Sequence, residues 1–453
     1  MMKVGKKASS VMLAAILTAS SLYGVPVQFV QTAEAAQSQA EHPGSKAFDQ
    51  KVIARIEAAR MMEDVRYLSE TIGPRVAGTD AEKEAANFIQ KRLESYGYTV
   101  ETQEFSIPDK MAGGLHTSDL KEVLVTIPSG SGSTPEEGIT SELYDAGLGR
   151  AADFSEEASG KIALISRGDI TFSEKVLNAV NAGAAGVLIY NNVDQPAPMN
   201  PSIGGPYTIP VGSITKASGE ALLQDVAAQN KTVTLSVKRF QNIKSQNIIA
   251  VKNPKPNKGG EADIVHISAH FDSVPFAPGA SDNASGTAVA LELARVLKSY
   301  PSDKELRFAF VGAEEIGLLG SKHYVSQLSG SEIERSIANF NMDMVGTAWE
   351  NATAIYMNTL DGQANIATET ALATAERIGT PSELVLYQRG ASDHVSFHDA
   401  GIPAVNFIRR EPVTANLEPY YHTPQDSIEH ISAERMKEAG NLIGASVYSL
   451  IRK

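Results

Sequence analysis

A set of histidines and carboxylates suited to metal-assisted hydrolysis falls at the ends of apolar segments in the second half of the chain: His270, Asp282, the pair Glu314-Glu315, Asp343 and His422. His270 follows the run Ile264 to Ala269, Glu314-Glu315 follows Leu306 to Val311, and Asp343 follows a run ending at Asn341. Asp282 opens a helix-spaced stretch within Gly279-Ala280-Ser281-Asp282-Asn283, and His422 stands in the loop Tyr420-Tyr421-His422-Thr423-Pro424. Each has an ordinary explanation when taken alone. Asp282 suits a helix N-cap, where a carboxylate accepts from free backbone N–H groups and complements the helix dipole. Asp343 resists such an explanation, because it sits between Met342 and Met344 in an apolar run and a buried carboxylate needs a partner. If the apolar runs are neighbouring strands, all of these residues meet at one edge.

Two imidazoles and three carboxylates suit a pair of Zn²⁺ ions, a borderline metal that accepts both donor types. Two ions roughly 3.5 to 4 Å apart need one bridging ligand and two terminal ligands each, a count that Asp282 and four others supply. Of Glu314 and Glu315, one can ligate and the other can act as base. Asp272, two residues beyond His270, is placed to accept the imidazole N–H turned away from the metal. The 453 residues include no cysteine, which excludes thiol nucleophiles, disulfides, iron–sulfur clusters and a lipoprotein anchor.

Elements that could position these side chains follow from the periodicity. Apolar runs at Asn247 to Val251, Ile264 to Ala269, Leu306 to Val311, Ile337 to Phe340, Ala354 to Met357 and Ala404 to Ile408 read as strands. Between and after them, amphipathic stretches at Asp282 to Ser299, Leu318 to Leu328, Gly362 to Ile378 and Ala433 to Ile451 read as helices. This alternation predicts an α/β fold with a mixed sheet covered by helices on both faces, in which ligands bind beyond the carboxyl ends of strands. Upstream, residues 46 to 70 carry helical spacing up to Gly73-Pro74, a second helix starts at a Thr79/Glu82 capping box, and Thr99 to Ile107 reads as a strand. From Asp119 the texture changes to short strands separated by Pro, Gly and Ser, so residues 119–243 read as a small β-rich domain inserted between peptidase segments 36–118 and 244–453, the second carrying the metal site.

Residues 1–35 read as a signal peptide: Lys3, Lys6 and Lys7, an apolar run from Val11 to Leu17, then the small-x-small site Ala33-Glu34-Ala35. The run is shorter than the ~20 residues of a spanning helix, so the expectation is cleavage, secretion and an extracellular, membrane-free mature protein. Forty basic against 53 acidic residues, a net charge of −13, exclude a nucleic-acid binder or a polybasic membrane clamp.

The motifs HFDS, GASDNASG, GAEEIGLLGS, NMDMVG and YHTPQDS, in this order, resemble those of the double-zinc aminopeptidases, and the resemblance extends over roughly residues 45–453. Residues 119–243 resemble the protease-associated domain inserted in many such enzymes. The resemblance implies that His270 and Asp343 hold one zinc, that Glu315 and His422 hold the other, and that Asp282 bridges them. It implies Glu314 as general base, Asp272 as the partner behind the imidazole and Tyr421 as the residue that stabilises the oxyanion. The implied protein is a secreted monomer that takes two Zn²⁺ and acts on peptides with a free N-terminus. Rival readings are a carboxypeptidase or deacylase on the same scaffold, with Arg389, Arg409 or Arg410 holding a substrate carboxylate, and a secreted peptide-binding protein. His42, His116, His266, His323, His398 and His430 read as structural or solvated, while the loop of His394 is placed to line a cleft.

Overall fold

The computed structural model describes residues 45–119, 121–227, 232–256 and 261–452. The expected signal peptide, His42 and a turn expected at Gly259-Gly260 lie outside them. After helices Ser45–Ile53, Ala58–Arg66 and Asp80–Ser95 comes strand β1 (Val100–Ser106). The chain then builds a second sheet from β2 (Lys110–Thr117), β3 (Glu122–Val123), β4 (Ile139–Asp145), β5 (Ile162–Ser166), β6 (Gly186–Tyr190), β7 (Val211–Ile214) and β8 (Thr232–Phe240). It returns to the first sheet with β9 (Lys244–Lys252), β10 (Ile264–His270), β11 (Glu305–Val311), β12 (Ser336–Met342), β13 (Ala354–Thr359), β14 (Leu384–Gln388) and β15 (Ala404–Arg410).

The first sheet has the order β1-β9-β11-β10-β12-β15-β13-β14. β10 runs parallel to both β11 and β12, and β12 parallel to β15, whereas β1, β9 and the β13–β15 pair are antiparallel, so the sheet is mixed as expected. Alternation along the strands serves two apolar layers. Ile248, Ala250, Phe308 and Phe310 face the layer filled by helices Gly286–Lys298 and Ala433–Ile451, while Ile249, Ala309 and Val311 face Tyr324, Val325 and Phe397 of helices Leu319–Ser326 and His394–Asp399. All seven residues of β10 are buried because helices cover both its faces. His266 is spent inside this core, with Nδ1 3.0 Å from Tyr324 Oη and Nε2 2.8 Å from Ser336 Oγ.

Local structure departs from the sequence expectation in instructive places. The helical pattern of residues 46–70 is broken between Ile53 and Ala58, and its second half ends in a wider turn at Tyr67–Ile72. Thr79 caps its helix by accepting from Glu82 N, but the Glu82 carboxylate does not close a capping box; it accepts instead from Gly78 N at 2.6 Å and Ser245 Oγ at 2.6 Å. The second sheet takes in Lys110–Thr117, ahead of Asp119, where the insertion was expected to begin. Gly113 and Gly114 hide that strand from a pattern search. Gly113 has a packing reason: a Cβ there would stand 1.9 Å from Ser236 O on β8.

The two sheets have separate cores, and the chain crosses between them beside Ile107 N→Ile243 O (3.0 Å), which continues the β1–β9 ladder one step past Ser106 and Lys244. Excising residues 110–240 and joining the stubs with a short turn should therefore leave β1–β9 as an ordinary hairpin. Far-UV circular dichroism and a single cooperative thermal transition would check this outcome. A cut at 119–243 should aggregate instead, because it strands β2 without β8.

Candidate metal centre

β10, β11 and β12 end side by side, with His270 opposite Val311 and Ser268 opposite Asn341. Each chain segment then turns sharply. Ala313, Met344 and His422 have φ of 54°, 60° and 57°, a left-handed backbone that non-glycine residues adopt at a cost and that here clusters where the candidate ligands leave their elements. The expected helix start at Asp282 is displaced: residues 280–285 form an irregular turn in which Asp282 is extended (φ −108°, ψ 92°), and the regular helix begins at Gly286. Asp282 is thus no N-cap. Its carboxylate points between two imidazoles, with Oδ1 3.3 Å from His270 Nε2 and Oδ2 3.1 Å from His422 Nε2.

Two trios of donors result, and Asp282 belongs to both. His270 Nε2 lies 3.5 Å from Asp343 Oδ1, and His422 Nε2 lies 3.1 Å from Glu315 Oε2. In each trio, His270/Asp282/Asp343 and Asp282/Glu315/His422, the donor atoms lie within 4.8 Å of one another. The donor chemistry fits a metal ion of the zinc type, and the hydrogen-bond inventory agrees: Asp343 Oδ1, Glu315 Oε1 and His422 Nε2 are buried without a hydrogen-bond partner.

Electrostatics point the same way. Burial works against a charged imidazole at His270, yet Glu314, Asp272, Asp282 and Asp343 outweigh it and hold the group well above its ordinary value. His422 is likewise raised to about 10, Asp282 and Glu315 overcoming its burial. Burial, reinforced by Asp282, pushes Glu315 up to about 7, and burial, reinforced by Asp393 and Asp343, pushes Glu314 well above the carboxylate range. The site is short of positive charge.

Asp272 has a different employment from the one expected of it. Its carboxylate stands 3.5 Å from His270 Nδ1, whereas its two oxygens accept from Glu314 N at 3.0 Å and Glu315 N at 3.2 Å. It therefore fixes the backbone that carries both glutamates. The Glu314 carboxylate belongs to neither trio. Tyr421 stacks on His422 with ring centroids 3.8 Å apart, while Tyr420 stacks away on His430 at 3.5 Å. Burial, with Asp282 and Glu315 adding to it, raises the Tyr421 phenol. His394 is fully buried, and its Nε2 lies 2.9 Å from Arg389 O.

Sequence reading missed the supports of the site. Fully buried Arg75 donates to Phe271 O (2.7 Å), Leu68 O (3.1 Å), Gly73 O (3.2 Å), Pro278 O (2.6 Å) and Gly279 O (2.8 Å), pinning the segments on either side of Asp272 and ahead of Asp282. Asp426 accepts from Ser281 N and Asp282 N, and Asp393 is fully buried beside the cluster. Asp426 lies inside a motif already singled out, but nothing in the spacing distinguishes it from a solvated loop residue.

The model of Peptidase family M28 matches residues 247–447 and that of the PA domain residues 125–222. The chain is 50% identical to aminopeptidase YwaD of Bacillus subtilis (strain 168), over 99% of this chain and 95% of the relative. Among solved structures it is similar to a zinc aminopeptidase from Bacillus subtilis, with a TM-score of 0.73, 52% identity and coverage of 88% of this chain and 96% of that one. The aminopeptidase from Aneurinibacillus sp. strain AM-1 is also similar, with a TM-score of 0.60, 40% identity and coverage of 89% and 96%. The chain belongs to peptidase family M28 and carries a PA domain, so the family resemblance read from the motifs is borne out.

Replacing Arg75 by Met keeps the buried stem but leaves five carbonyl oxygens without their donor. At roughly 1–3 kcal/mol for a buried group left unpaired, and with some carbonyls regaining water, the variant should lose at least about 3 kcal/mol of stability. Urea unfolding with an unchanged slope and a lowered midpoint would register it. A loss below about 1 kcal/mol would show that Arg75 is not the clamp described.

Proposed function

We propose that the protein is a secreted, zinc-dependent aminopeptidase that removes N-terminal residues from peptides, with two Zn²⁺ per chain. The observation that carries this reading is the sharing of Asp282 between two donor trios. His270 and Asp343 would hold one ion, Glu315 and His422 the other, and Asp282 would bridge. Bound zinc ions lower the pKa of a coordinated water and polarise a carbonyl group.

The remaining chemistry belongs to the chain's own groups. Glu314, poised on a backbone tied down by Asp272, takes the proton of the attacking water and delivers it to the leaving amine. The Tyr421 hydroxyl donates to the carbonyl oxygen as charge develops there. The substrate's α-ammonium group is drawn to a site short of positive charge, which favours attack at the first peptide bond. Bacillus subtilis relatives named as an aminopeptidase and a zinc aminopeptidase support the activity and the metal.

A carboxypeptidase would need a free cation for the substrate's carboxylate, and two of the three arginines considered are already engaged. Arg409 donates to Glu438 Oε2 at 2.7 Å and Arg410 to Ala415 O at 2.7 Å, both buried. In this reading residues 119–243, with the preceding strand β2, form a non-catalytic inserted domain, and the mature protein is a monomer outside the cell. Among the described residues no helix is long and apolar enough to cross a membrane.

Free aminoacyl-4-nitroanilides should be hydrolysed and their N-acetylated counterparts spared; equal rates on both would sink the exopeptidase reading. Glu314→Gln keeps the shape but cannot accept a proton, so it should retain two zinc ions while kcat falls by about 10²- to 10⁴-fold. Glu315→Gln should instead lose affinity for one ion and recover partly in excess zinc. Metal analysis of both variants decides the assignment: metal loss in Glu314→Gln with both ions kept in Glu315→Gln would reverse the two roles.

A further inference from the structure

The two trios share a carboxylate, yet their residues come from segments far apart in the chain, and the geometry holds only if the Asp282 turn and the His422 loop are locked together. One residue does much of this. Asp426 is 1% exposed; its Oδ1 accepts from Ser281 N at 2.7 Å and its Oδ2 from Asp282 N at 3.1 Å, while its own carbonyl accepts from Ala280 N at 3.2 Å. Three successive N–H groups leading into the shared carboxylate thus end on a single side chain and its backbone. Asp426 is tied in turn to the other partner: its N–H donates to Thr423 O at 3.0 Å, and Thr423 donates to Tyr420 O through both N (3.0 Å) and Oγ1 (2.7 Å), closing a compact turn around His422.

We propose that Asp426 is a positioning residue that sets the distance between Asp282 and His422, and so governs retention of the ion held between Asp282, Glu315 and His422. This rests on the two-zinc reading. Both Asp426 oxygens are spent on backbone N–H groups, so it acts through Asp282 and not as a ligand. A carboxylate is required for this: Asn offers one acceptor and would aim its own N–H₂ at an N–H donor. Arg75, donating to Pro278 O and Gly279 O, holds the same turn from its other side, leaving the carboxylate of Asp282 as the part free to face the imidazoles.

The test uses the full mature chain as Asp426→Asn and Asp426→Glu, with zinc content, competition against a chelator, thermal unfolding of the metal-free forms, and the visible absorption of the cobalt-loaded proteins. Wild type should hold two zinc ions. Asp426→Asn should keep one ion at wild-type affinity and bind the other about 10- to 100-fold more weakly, as is usual when a group supporting a ligand is removed. Its cobalt spectrum should lose the contribution of one site. Asp426→Glu, which restores both oxygens, should fall between the two. In a His422→Ala background the Asn substitution should cause no further loss.

Two ions in wild type with unchanged affinity for both in Asp426→Asn would overturn this proposal alone. Equal weakening of both ions would also overturn it, since a general loosening of the fold predicts that and a local clamp does not. A wild type holding fewer than two ions would overturn the two-zinc reading and this proposal together. If Asp426→Asn does not fold, Asp426→Glu decides: selective weakening of one ion supports the proposal and unchanged affinity for both overturns it.

Discussion

The interaction on which the rest of this structure depends is repulsion among buried carboxylates. Asp272, Asp282, Asp343, Asp393 and Asp426 are all buried at one sheet edge, with Glu314 and Glu315 half-buried beside them. Burial alone disfavours each negative charge, and neighbours of the same sign add to it, which is why Asp393 is pushed up to about 7 and Asp426 to about 8. The fold answers in two ways. Asp272 and Asp426 each receive two backbone N–H groups, so their charge is met by fixed dipoles. Asp282, Asp343 and Glu315 face imidazoles, and Asp343 and Glu315 keep an oxygen without any partner. That division separates the carboxylates that hold the frame from those left available to a cation.

The frame is as demanding as the charges. Parallel pairing of β10 with β11 and β12 brings three strand ends together, but the side chains converge only because the chain then bends abruptly at Ala313, Met344 and His422. Gly279 belongs to the same device. It sits at φ 65°, and a Cβ there would lie 2.5 Å from Asp282 O and 2.7 Å from Arg75 Nη2, so the turn that aims Asp282 and the guanidinium that pins it both exclude a side chain. Strain of this kind persists only where surrounding contacts over-determine the backbone, and the five carbonyls gathered by Arg75 are such contacts.

The residues that converge were legible in the sequence because they interrupt patterns: a carboxylate between two methionines, a histidine at the end of an apolar run. Continuous apolar strands likewise revealed the covered sheet. What stayed hidden has a different physical character. Asp272 looks like a histidine's partner from its spacing, but its actual acceptors' partners are two N–H groups some forty residues downstream, and backbone donors carry no sequence signal. Arg75 and Asp426 are invisible for the same reason. Asp282 misled in the opposite direction, since its helix-start setting fits an N-cap and only the demand of two imidazoles draws it out of that role. Strand β2 escaped because glycines erase the alternation on which strand reading relies.

The crossing point of the insertion lies close to this machinery. Phe105, Ile107 and Ile243, where the chain leaves and re-enters the first sheet, pack with Ala77, Ala313 and Leu319 in one small apolar cluster. Ala313 is the left-handed residue directly before Glu314, so the junction of the two sheets and the bend that presents the glutamates share a core. Lys110 Nζ adds a hydrogen bond to Ala77 O at 2.8 Å, anchoring the first residue of the second sheet to the same cluster. Glu82 accepts from Gly78 N and Ser245 Oγ around it, a second carboxylate held by donors of the frame. An insertion placed there leaves the ladder of β1 and β9 unbroken up to the junction, and the packing that terminates that ladder is the packing that fixes the glutamate bend. The second sheet therefore contributes none of the candidate ligands, yet its point of attachment is built into the support of one of them.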